Sequence, residues 1–113
     1  MEKIIRIDEK DVKFKTTADT VRLYRQTFRR DLLLDFQQIY KEASAGGQWS
    51  AEAQEILEDF AYTAAKQADA TVPDDPGKWL DNFEMLSIYL AWPQLVELWT
   101  TSTTTTSESK KKE

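Results

Sequence analysis

Residues 50–68 read SAEAQEILEDFAYTAAKQA. Ala53, Ile56, Leu57, Phe60, Ala61, Ala64, Ala65 and Ala68 fall on one face, and Glu55, Glu58, Asp59 and Lys66 fall elsewhere. At 3.6 residues per turn this is an amphipathic helix. Ser50 stands where a hydroxyl can accept from a free N–H of the first turn. The small alanines leave room for another helix to approach closely, so the pattern points to a helical bundle.

Toward the N-terminus, two more helices are predicted. Thr17 can cap a helix through Phe28 that carries Val21, Tyr24 and Phe28 at spacings of three and four, and Asp31 can cap the next, with Leu32, Phe36, Ile39, Tyr40 and Ala43. The AGG at 45–47 ends the second. Before them, KIIRI at 3–7 and VKFKT at 12–16 flank DEKD and read as one β-hairpin, which needs an apolar support because an isolated hairpin is marginal in water. After residue 68, VPDDPG at 72–77 is a turn-rich connector, and a final helical region is expected from about Lys78 to Trp99. The fold class is therefore mainly α, a small helical bundle with an N-terminal β-hairpin over residues 1–99. The stretch from 100 to 113 is expected to be a disordered Thr/Ser/Lys tail, since its polar residues have nothing to bury.

The 113 residues suit one domain. Cysteine and histidine are both absent, which removes disulfides, thiolate nucleophiles, most zinc sites and the side chain best suited to moving protons near neutral pH. No phosphate-binding glycine loop and no nucleophile-elbow motif occurs among only three glycines. The expectation is a non-enzyme with no cofactor and no metal. MEKIIRIDEK has no apolar run of signal-peptide length, so a cytosolic location is expected.

Net charge is −5, distributed as +2 over residues 1–45, −8 over 46–106 and +1 beyond. Nucleic acid is an unfavourable partner for such a chain, because neutralising phosphates supplies most non-specific affinity. Arg22, Arg25, Arg29 and Arg30 form a basic strip, better read as solvated or as pairing with the acidic half, within the chain or between subunits. Glu55, Glu58 and Asp59 are read as a solvated helix face, Asp74 and Asp75 as turn residues.

The segment MLSIYLAWPQLVELW at 85–99 holds the largest apolar side chains. A bilayer-spanning helix needs about 20 apolar residues, so no membrane role is expected. On a wheel, Ser87, Gln94 and Glu97 share one narrow sector, leaving a stripe of Leu86, Tyr89, Leu90, Pro93 and Val96 and another of Ile88, Trp92, Leu95 and Trp99. A helix so apolar reads as the centre of the bundle, yet so small a domain has little interior to hide it. Pro93 should kink the helix or open a new one, letting Trp92 and Trp99 point away from the face packed by Leu86 and Leu90. The expected partner-binding residues are Ile88, Trp92, Leu95 and Trp99, with Arg22, Arg25 and Arg29.

Three stretches, RLYRQTFRRDLLLDFQQI at 22–39, ILEDFAYTAAKQAD at 56–69 and VPDDPGKWLDNFEMLSIYLAWPQLVELW at 72–99, together resemble the tail assembly chaperones of long-tailed phages that infect Gram-positive bacteria. Arg29 stands where many of those relatives carry glycine. The resemblance implies a mostly helical protein that catalyses nothing, coats the hydrophobic tape measure protein, and gives way to tail tube protein as the tail polymerises. It implies action in the host bacterial cytoplasm, self-association, and absence from the mature virion. A longer frameshifted product occurs in related systems, and Lys110, Lys111 and Lys112 are a place where a slippery site could lie, although a solubilising tail explains them more simply. The alternative is a non-catalytic helical adaptor or regulator of another protein complex.

Overall fold

The computed structural model describes residues 1–46 and 49–98. It is mainly α, with a two-stranded antiparallel hairpin followed by helices. Strands β1 (Glu2–Ile7) and β2 (Lys10–Lys15) pair with Ile5 opposite Val12 and Lys3 opposite Phe14. The two-residue turn sets Asp8 and Glu9 in left-handed backbone, φ 53° and 63°, the twist that tight hairpins require. The period of two puts Ile5, Ile7 and Phe14 on the covered face and Ile4 on the open one.

Helices α1 (Ala18–Phe28), α2 (Leu32–Ser44) and α3 (Ala51–Ala68) begin at the expected caps. Thr17 forms a reciprocal capping box with Thr20, Asp31 accepts from the N–H of Leu33 at 2.9 Å, and Ser50 accepts from that of Ala53 at 3.1 Å. Gly46 takes φ +67° just past α2. The helix expected from residue 78 is instead three short ones: α4 (Pro76–Leu80), α5 (Ser87–Leu90) and α6 (residues 92–98).

One local and one long-range cause break that region. The amide of Asn82 donates to the carbonyls of Lys78 and Trp79, closing off the end of α4, and the N–H of Glu84 goes to Asp8 of the hairpin turn instead of continuing a helix. Pro93 lies in the first turn of α6, where a missing N–H breaks no bond, as its fixed φ leads one to expect.

The centre of the bundle is α3, not the C-terminal segment. It packs against β2, α1, α2, α4 and α5, and every residue from Asp59 to Ala65 is buried. Buried Ala61, Ala64 and Ala65 let these neighbours come close, while Phe60 meets Phe36 edge-on at 4.9 Å between centroids. The hairpin finds its support here too, with Phe14 against Trp79 of α4. The tail from 100 to 113 and Trp99 lie outside the described residues.

Candidate functional site

Four of the expected partner-binding residues belong to the C-terminal segment; Trp99 lies outside the described residues, and the structure sorts the other three differently. Ile88 is 3% exposed and Leu95 fully buried, both in the core that α5 and α6 close over α3. Trp92 is half-buried against that core. Ile88 and Leu95, seven residues apart, share one face as they do on the wheel, and it is that face that packs into the core. Exposure falls instead on the stripe expected to be packed: Leu86 is 57% exposed, Leu90 76% and the neighbouring Met85 84%.

Leu86 and Leu90 line an apolar groove of about 360 Å³. Gln54 and Leu57 of α3 form one wall, and Leu86, Tyr89 and Leu90 the other. Trp49, just before α3, and Trp92, opening α6, complete it, their rings 4.8 Å apart and tilted by 57°. The phenol of Tyr89 donates to Glu58 of α3, which pins the α5 wall in place; burial, then this bond, push its pKa up to about 12.

The arginines do not act as one strip. Arg22 is tied to Asp19 within α1, which raises its pKa, and Arg25 and Arg29 are exposed with no ion pair among the described residues. None of the three lines the groove. Arg30 turns inward, because Arg29 adopts left-handed backbone (φ 59°, ψ 33°) and redirects the chain between α1 and α2.

The Arg30 guanidinium donates to Asp35 (3.0 Å), Glu55 (3.3 Å), Asp59 and the Tyr24 hydroxyl (2.8 Å), and stacks near the Tyr24 and Phe28 rings. Burial works against its charge, but the bonds to Asp59, Asp35 and Tyr24 outweigh that and hold its pKa above the ordinary arginine value. Burial pushes the Asp59 carboxyl up to about 6, with Arg30 pulling the other way. The acidic cluster is a solvated face only in part: Glu55 is exposed while reaching Arg30, Glu58 is half-buried and bonded to Tyr89, and Asp59 is buried and paired. Among the described residues no group of acidic side chains is arranged to hold a metal ion.

No protein-family model, curated protein or solved structure matches this chain. The groove and the Arg30 network therefore stand on their geometry. The network ties α1, α2 and α3 together, and no buried side-chain nitrogen or oxygen among the described residues lacks a hydrogen bond. The groove has mostly apolar walls and few polar groups of its own. Among the described residues no helix is long and apolar enough to cross a membrane.

Proposed function

We propose that this chain is a tail assembly chaperone of a long-tailed phage, a non-catalytic protein that holds an apolar helix of the tape measure protein in the groove between α3 and α5. The supporting observation is the exposure of Met85, Leu86 and Leu90 beside a cleft lined by Trp49, Tyr89 and Trp92. Burying such side chains stabilises by about 1.5–3 kcal/mol each, so a partner covering all three removes a substantial exposed apolar area. A helix laid into an apolar groove is a common mode of peptide recognition. The sequence likeness of residues 22–39, 56–69 and 72–99 to such chaperones supplies the partner's identity.

On this reading the chaperone keeps the tape measure protein soluble in the host cytoplasm, self-associates along it, yields to tail tube protein during polymerisation and leaves before the virion is complete. Co-expression with a tape measure protein tests it. The expected result is a soluble complex with the wild type and an insoluble partner with Leu90→Ser or Leu86→Ser. A partner equally soluble with both variants overturns the reading.

A further inference from the structure

The groove is uncharged, but the chain around it is charged with one sign. Its lining residues lie within 49–57 and 86–92, and in the sequence neither the run 42–65 nor the run 79–109 that contains them holds a lysine or an arginine. Some acids of those stretches are compensated and others are not. Arg30 compensates Glu55 and Asp59, and Lys3 compensates Glu97. Glu42, Glu58 and Glu84 have no ion pair among the described residues. Glu42 accepts from both the N–H and the hydroxyl of Ser50, beside Trp49; Glu58 accepts from Tyr89; Glu84 lies exposed two residues before Leu86. Uncompensated negative charge therefore stands at the Trp49 end, along the α3 wall and at the Leu86 end.

We propose that the groove selects an apolar helical segment flanked by lysine or arginine, and rejects one of the same apolar pattern flanked by aspartate or glutamate. The inference rests on the reading of the groove as a docking site and adds the partner's charge. An apolar floor supplies attraction without regard to charge, whereas like charges brought to the rim repel, so selection between otherwise equal helices falls to the rim. The exposed arginines are no competitor for the partner's acids, since none of Arg22, Arg25 and Arg29 lines the groove.

Two designed helical peptides of about five turns, identical in their leucine face and flanked by lysines in one and glutamates in the other, provide the probe. Binding to the full chain is measured by tryptophan fluorescence and calorimetry at low and high salt. The lysine peptide is expected to bind roughly fivefold or more tightly at low salt, with the preference shrinking as salt screens the rim. Glu84→Lys, an exposed change outside the core, should reduce that preference while leaving the glutamate peptide no weaker. Leu90→Ser should weaken both peptides. Equal binding of the two peptides, or tighter binding of the glutamate one, with both lost in Leu90→Ser, overturns the charge inference and leaves the docking site standing. Failure of both peptides to bind overturns the two together.

Discussion

The carboxylate of Asp8, in the turn of the hairpin, accepts the hydroxyl of Ser87 at the start of α5, and its second oxygen accepts the N–H of Glu84 at 2.8 Å. Lys10, on the other side of the turn, donates to the carbonyl of Asn82 at 2.8 Å and lies over the Phe83 ring. The hairpin tip thus grips the irregular stretch 82–87 that leads into the groove wall. Hairpin and groove are one mechanical unit.

Asp8→Ala removes two of these bonds and should loosen that wall. The bonds from Ser87 and the Glu84 N–H hold the Asp8 carboxyl below its ordinary 3.8. A depressed folded-state pKa means stability that is present above pH 4 and lost as pH falls through the folded value. The expected outcome is a melting temperature a few degrees below wild type at pH 7, with the gap closing in acid. Amide exchange should quicken over residues 84–91 before it does over α3; uniform quickening would contradict the account.

Core and surface exchange roles within a few residues of each other, and truncation separates them. Ile88→Ala or Leu95→Ala should cost about 2–5 kcal/mol, since each empties a buried site. Leu90→Ser should stay within about 0.5 kcal/mol of wild type and still lose partner binding. Denaturant melts of the three variants check this, and equal destabilisation of all three would place Leu90 in the core.

Asp59 carries the opposite sign to Asp8. Its folded pKa of about 6 lies above the ordinary 3.8, so the folded protein binds a proton there more tightly than the unfolded chain does. Its contribution is fully present below pH 4 and is lost as pH rises through 6. Asp59→Asn has no proton to lose, while Arg30 keeps Asp35 and Glu55. Wild-type melting temperature should therefore decline relative to that of the variant between pH 4 and pH 7. Parallel profiles would show that Asp59 does not titrate in this window.

These contrasts mark what the chain reveals before folding. The caps at Thr17, Asp31 and Ser50 and the alternation of β2 were legible because each is settled by neighbours within four residues. In the helical region from about Lys78 to Trp99 the break at Pro93 was legible, whereas the irregular stretch before Ser87 was not, because it depends on Asp8, far away in sequence, which claims the Glu84 N–H. The groove was legible as an apolar surplus but assigned to the wrong stripe: two apolar faces look alike on a wheel, and tertiary packing on α3 decides which is covered. The partnership of Arg30 with Asp59 was hidden for a similar reason, since nothing local says which of four arginines turns inward.

That turn inward depends on Arg29, whose left-handed backbone ends α1 while its N–H donates to the carbonyl of Arg25 at 2.8 Å. A residue with a Cβ pays roughly 1 kcal/mol to sit there, and glycine pays almost nothing. The Arg29 side chain is exposed and has no ion pair among the described residues, so its removal forfeits little. Arg29→Gly should therefore leave the Arg30 network intact and stabilise the protein by up to about 1 kcal/mol, part of the gain being offset by the greater freedom of glycine in the unfolded chain. Arg29→Ala keeps the Cβ and should show no such gain. Urea melts of the two variants decide it: equal midpoints would mean that the backbone at Arg29 is not strained.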